Sequence, residues 1–226
     1  MDADAIIFDF DGVLLESEHE INQLIARLLT DLGQPTSVRD ATEQFTGLSG
    51  QSFIDAVEMR LGAPLPPGFH ETMRQASGRA MAEGLEEVAG AIAFVRRLPQ
   101  LLPKAVASSS STRWVRTHLD HLGLADVFGR HVYSGKEHVT RGKPAPDLYL
   151  HAAAQLSVDI SRSVIIEDSK VGATGALASG ARVIGLAAGR HCLDGHAGML
   201  KDIGVLDVAH SFEEVARLLG LDQPSR

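Results

Sequence analysis

Only one cysteine, Cys192, occurs in the chain, so no disulfide can form within it. Runs rich in Lys and Arg are also missing: 21 basic against 29 acidic residues leave a net charge of -8, which repels a nucleic-acid backbone. No apolar stretch approaches the roughly 20 residues needed to cross a bilayer, because charges or glycines interrupt every candidate. The N-terminus opens directly into a strand-like run, without a cationic region followed by an apolar signal segment. These absences set aside nucleic acid and membrane as partners, and the expectation is a soluble, cytoplasmic protein. Internal repeats and low-complexity tracts are absent as well.

What is present is ordinary globular composition, 44% hydrophobic and 22% charged over 226 residues, enough for one core with a large insertion. Short apolar runs alternate with helical periodicities, the pattern of a doubly wound, mainly parallel α/β sheet with helices on both faces. Strands are expected at Ala5 to Phe10, Lys104 to Ala107, His131 to Tyr133, Val164 to Ile166 and Arg182 to Leu186. Trp114, Val115, His118, Leu119 and Leu122 recur at helical spacing before Gly123, and Ser211 with Glu214 forms a capping-box pattern. About ninety residues separate the first two strands, far more than a crossover helix needs. They carry four helical patterns. The first opens on a Ser17/Glu20 capping box and ends at Gly33; the others run over Val38 to Phe45, Gln51 to Leu61 and Phe69 to Ala82, interrupted by Pro64, Pro66 and Pro67. Residues 17–84 are thus expected to form a small helical cap on a core of residues 1–16 and 85–226, with hinges at Leu15 to Ser17 and Glu83 to Glu87.

The chemistry begins at the end of the first strand, in Ile6-Ile7-Phe8-Asp9-Phe10-Asp11-Gly12-Val13. Two carboxylates two residues apart share one side of an extended segment, although an Asp-Gly pair is also a common turn. After the second strand, Ser108-Ser109-Ser110-Ser111 offers hydroxyls and backbone N–H groups for phosphate oxygens, Ser111 also suiting a helix cap. Arg141-Gly142-Lys143-Pro144-Ala145-Pro146-Asp147 places a lysine on a stiff loop, and Ile165-Ile166-Glu167-Asp168-Ser169 ends an apolar strand on two acids.

In order and strand context these segments resemble the four motifs of the haloacid dehalogenase superfamily, over nearly the whole chain. The insertion after the first motif resembles the helical cap of the subgroup containing β-phosphoglucomutase and many phosphatases, on a Rossmann-like core. Two unit charges about 4 Å apart repel by roughly 4 kcal/mol at surface-like dielectric, so a carboxylate that attacks a phosphate monoester dianion needs a divalent cation between them. Mg²⁺ suits oxygen ligands from one or two carboxylates plus phosphate. Asp9 and Asp168 would supply the carboxylates. The resemblance adds Asp11 through its backbone carbonyl, with Glu167 nearby or acting through water.

The resemblance further implies that Asp9 attacks phosphorus to give an aspartyl-phosphate, while Asp11 protonates the leaving alcohol and then activates water. Ser108, Ser109, Lys143 and Gly12 are the expected phosphate contacts. The implied protein is a Mg²⁺-dependent phosphatase of small phosphorylated metabolites of the sugar-phosphate type, monomeric or a small homo-oligomer. The retained carboxylate at Asp11 separates it from dehalogenases, and the absence of Lys from Ser17 to Gly84 separates it from phosphonate-cleaving relatives. In mutase relatives a cap Arg follows a Gly-Val-Ser-like turn and a His lies on the first cap helix. Here Gly47-Leu48-Ser49 is followed by Gly50, and Ile21 takes the place of that His, with His19 two positions away. Hydrolysis is therefore expected, with a phosphosugar mutase as the alternative and a phosphoryl-accepting signalling domain as a remote one. Thr46 to Ser49 and Glu18 are expected cap contacts. Trp114 reads as packing, Gly185 to Gly189 as a weak phosphate-loop likeness, and His191, Cys192 and His196 as loop residues without metal-site spacing.

Overall fold

A computed structural model describes residues 3–46, 48 and 50–221. Six parallel strands, β1 (Ala5–Phe8), β2 (Lys104–Ser108), β3 (Val132–Ser134), β4 (Ser163–Glu167), β5 (Arg182–Leu186) and β6 (Asp207–Ala209), form one sheet in the order β3-β2-β1-β4-β5-β6. Four helices fill the insertion: α1 (Ser17–Asp31), α2 (Val38–Phe45), α3 (Gly50–Leu61) and α4 (Phe69–Glu83). The core helices are α5 (Ala91–Arg97), α6 (Thr112–His121), α7 (Ala125–Phe128), α8 (Asp147–Leu156), α9 (Lys170–Ala178), α10 (His196–Asp202) and α11 (Phe212–Leu218).

Strand β1 is apolar throughout because both of its faces are covered. Ile6 and Phe8 point to the side filled by α5, α6, α7 and α11, where the Phe8 ring meets Phe128 edge-on at 5.7 Å. Ile7 points to the side filled by α8, α9 and α10, with Ala105, Ile165, Tyr149 and Leu200. Strand succession runs one way from β1 to β3 and the other way from β4 to β6, so the loops beyond the carboxyl ends of β1 and β4 diverge and leave a crevice.

The insertion buries its own apolar cluster of Ile25, Ala26, Leu29, Ala41, Phe45, Val57 and Phe69, separate from the two sheet faces. Its two connections to the core are tied together, Glu16 N–H donating to the Glu86 carbonyl (3.0 Å) and Val88 N–H to the Leu14 carbonyl (3.2 Å).

Several sequence expectations are corrected. The first strand ends at Phe8 rather than Phe10, because the N–H groups of Val13, Leu14 and Leu15 converge on the Phe10 carbonyl and turn the chain. A sixth strand, β6, is too short and mixed to stand out in the sequence. Ser17 caps nothing: Glu16 occupies the cap position, and the Ser17 hydroxyl donates to Asp11 instead. The capping box of the insertion lies at Ser37 and Asp40, which hydrogen-bond reciprocally at the start of α2. At α11 only half a box forms, since Ser211 Oγ accepts from Glu214 N–H while the Glu214 carboxylate takes the His210 N–H.

Candidate active site

Asp9 stands one residue beyond β1, its N–H donating to the Ile166 carbonyl of β4 at 2.9 Å. Its Oδ1 accepts from Lys143 Nζ at 2.6 Å, and the same ammonium donates to Glu167 Oε1 at 2.7 Å while lying over the Tyr149 ring. Glu167 is fully buried at the end of β4, held also by the Tyr149 hydroxyl (3.0 Å) and by the N–H and Oγ of Ser169. Burial opposes the Lys143 charge, but the Asp9 and Glu167 carboxylates outweigh it and hold its pKa well above the ordinary lysine value.

Asp168 follows on the loop into α9. His191 Nε2 donates to its Oδ2 at 2.8 Å and His196 Nε2 to its backbone carbonyl at 2.7 Å. Its Oδ1 is buried without a hydrogen-bond partner among the described residues. Carboxylate oxygens of Asp9, Glu167 and Asp168 all lie within 4.8 Å of one another. One lysine cannot balance three buried carboxylates, and burial pushes the Asp9 and Asp168 pKa values well up. A hard, oxygen-preferring divalent cation fits this donor set: it would neutralise the surplus charge and satisfy the orphaned Asp168 oxygen.

The Asp11 carboxylate faces the crevice and accepts four hydrogen bonds. Ser17 Oγ (2.8 Å) and Trp114 Nε1 (3.0 Å) reach Oδ1, while Ser110 Oγ (2.7 Å) and Ser108 Oγ (3.2 Å) reach Oδ2. A cavity of about 1040 Å³ opens between the strand ends and the helical insertion, and Asp9, Asp11, Lys143 and Asp168 form part of its floor.

Residues 6–186 match the family described as haloacid dehalogenase-like hydrolases. The chain belongs to this family. A haloacid dehalogenase-like protein from Agrobacterium tumefaciens str. C58 is 34% identical, with TM-score 0.88 over 97% of this chain and 98% of its own. A HAD family hydrolase from Deinococcus radiodurans R1, solved with bound phosphate and sodium, is 32% identical with TM-score 0.86, over 99% of each chain. Among characterised relatives, the 6-phosphogluconate phosphatase of Escherichia coli (strain K12) is 25% identical over 189 residues, 83% of this chain and 84% of that protein.

In this haloacid dehalogenase-like hydrolase the fold brings Asp9, Asp11, Ser108, Lys143, Glu167 and Asp168 together as neighbours. Ser109 lines the cavity and is exposed. Gly12 is different: its N–H donates to the Leu15 carbonyl, and with φ +82° a side chain there would overlap Asp168 Oδ2 and press on His191. Its contribution is space rather than a free donor. Glu18 lines the cavity from α1, and burial, with Asp168 and Asp11 adding to it, raises its pKa to about 7. Leu48 and Thr46 line the cavity too, whereas Gly47 and Ser49 lie outside the described residues.

Sequence reading missed the second layer. His191 and Cys192 do lie in a loop, whereas His196 opens α10; the loop leaves the carboxyl end of β5, and both histidines turn back onto Asp168. Position at a carboxyl strand end was the available signal, because those ends converge on one crevice in a doubly wound sheet. Trp114 packs against the larger core cluster as expected, and its indole N–H also reaches Asp11.

Proposed function

We propose that this hydrolase cleaves small phosphate monoesters of the sugar-phosphate type with Mg²⁺, through an aspartyl-phosphate on Asp9. The observation that carries the reading is the Asp9–Lys143–Glu167–Asp168 cluster at the crevice, with its unbalanced negative charge and orphaned Asp168 oxygen. Asp9 and Asp168 would hold the cation with the Asp11 carbonyl, Glu167 standing behind Lys143. When bound, the cation offsets the mutual repulsion of nucleophile and phosphate.

An Asp9 carboxylate oxygen attacks phosphorus, forming a P–O bond as the bond to the ester oxygen breaks. Asp11 passes a proton to the departing alkoxide and later takes one from the water that hydrolyses the acyl phosphate. A carboxyl group that carries a proton cannot accept all four of its present hydrogen bonds, so Asp11 must shed at least one donor during the cycle. Lys143 and Ser109 orient the phosphoryl oxygens, and Ser108 positions Asp11. Residues 17–84 act as a cap, closing over the crevice from the paired connections at Leu14–Glu16 and Glu86–Val88 and excluding water during attack.

The cap surface favours water over a second sugar as phosphoryl acceptor. Glu18, Glu20, Glu43 and Glu83 line the cavity against two cap cations, Arg27 and Arg79, an environment suited to sugar hydroxyls rather than to the distal phosphate of a bisphosphate. Ile21 lines the cavity where mutase relatives carry a histidine, and His19 is engaged with Gln23 at 2.7 Å.

The test is a phosphate-release screen over phosphorylated sugars, sugar acids and nucleotides with Mg²⁺, with and without excess EDTA. Metal-dependent release from several phosphorylated sugars or sugar acids is expected. Full turnover in EDTA would remove the metal from the scheme. Rapid isomerisation of a sugar 1-phosphate in the presence of its bisphosphate, with almost no phosphate released, would favour the mutase.

A further inference from the structure

The loop after β5 places three metal-binding side chains together. One ring nitrogen each of His191 and His196 and the Cys192 Sγ all lie within 4.8 Å of one another, and His191 Nε2 is 3.5 Å from Cys192 Sγ. Zinc–nitrogen and zinc–sulfur bonds in a tetrahedral site put neighbouring ligand atoms about 3.4–3.7 Å apart, so the His191–Cys192 pair already stands at ligand spacing. A fourth ligand is in reach: Asp168 Oδ2 is 2.8 Å from His191 Nε2, and its other oxygen is an orphan. His191 Nδ1 is likewise buried without a hydrogen-bond partner among the described residues. Gly12 and Gly189 leave the space in which the His191 ring sits, since a side chain at either would press against it. His191 and His196 line the main cavity, which gives an ion a route in from solvent.

Imidazole and thiolate are poor ligands for Mg²⁺ and good ones for Zn²⁺-like ions, so this cluster is chemically distinct from the carboxylate site beside it. We propose that His191, Cys192 and His196 form a second site, for a soft divalent ion of the Zn²⁺ class, that shares Asp168 with the carboxylate site. Binding displaces the Cys192 thiol proton to solvent, leaves the proton of each neutral imidazole on the ring nitrogen that does not bind, and draws Asp168 towards the soft ion. One carboxylate cannot serve both ions in its best geometry, so occupancy inhibits the Mg²⁺-supported reaction.

Two measurements on the full chain test this. In the first, Co²⁺ replaces zinc as a spectroscopic probe, in wild type, Cys192→Ser and His196→Gln. A thiolate-to-cobalt charge-transfer band, with the intense visible bands of tetrahedral cobalt, is expected in wild type, with loss of the thiolate band in Cys192→Ser and weaker binding in His196→Gln. Co²⁺ held by carboxylates alone gives neither, so absence of the thiolate band in wild type would overturn the site. In the second, Zn²⁺ is titrated at fixed Mg²⁺ and inhibition is scored against each variant's own rate. Inhibition should weaken about tenfold or more in both variants. Unchanged inhibition in Cys192→Ser, or a thiolate band without inhibition, would overturn the sharing of Asp168. The inhibition assay rests on the proposed Mg²⁺ chemistry; the cobalt spectrum does not, so failure of one reading is distinguishable from failure of the other.

Discussion

Asp9 and Asp11 stand two residues apart yet meet different partners, so removing their charges has unequal consequences. Asp9→Asn should abolish phosphoenzyme and lower kcat on the order of 10⁴-fold or more, as loss of a covalent nucleophile does elsewhere. Asp11→Asn should cost on the order of 10²–10⁴-fold, most for poor leaving groups that need protonation. Trapping of phosphoenzyme together with a leaving-group series checks both, and a near-normal rate for Asp9→Asn would displace it as the nucleophile. Glu18 adds a pH signature without metal. Its folded-state pKa is raised to about 7 from 4.5, so in that window the unfolded chain has released a proton that the folded protein still holds. The Glu18 contribution to the stability of the EDTA-treated protein should therefore be lost as pH rises from about 4.5 to about 7. Glu18→Gln should remove on the order of 1–3 kcal/mol of that loss. Parallel melting profiles for the two proteins from pH 4.5 to 8 would show that Glu18 ionises normally.

At the level of elements, α9 begins against the site. Ser169 Oγ caps it by accepting from Gly172 N–H at 3.0 Å, and a Cβ at Gly172 would overlap Glu167 Oε1. Gly172→Ala must push Glu167 aside, and with it the anchor of Lys143. The expected result is a loss of about 1–3 kcal/mol and a lower kcat, despite alanine's better helix propensity. Gly78 within α4 is the control: nothing among the described residues lies within 4 Å of a Cβ there, so Gly78→Ala should stabilise by about 0.5–1 kcal/mol without touching the site. Thermal melts of both variants check the contrast, and equal effects would mean that Glu167 is free to move.

Across the whole molecule, the strand order and the two covered sheet faces concentrate buried carboxylates in one crevice, leaving the folded protein short of positive charge at its centre. A cation that binds only the folded state should raise stability, by about 2.7 kcal/mol at a concentration 100 times its Kd. Addition of Mg²⁺ should thus raise Tm and EDTA reverse it; an unchanged Tm would mean that the cluster holds no such ion. The sequence by itself determined the alternation of strands and helices and the position of the helical insertion, and it singled out Asp9, Asp11, Ser108, Lys143, Glu167 and Asp168, which the fold brings together, because each stands in a local pattern of apolar runs, turn residues or acids at a strand end. Tertiary structure alone decided that Ser17 holds Asp11 instead of capping a helix, that Trp114 holds it as well as packing, and that His191 and His196 close over Asp168. Their partners lie 6, 103, 23 and 28 residues away, and three of these four pairings depend on which loops the parallel sheet brings to one edge, information that no local pattern carries.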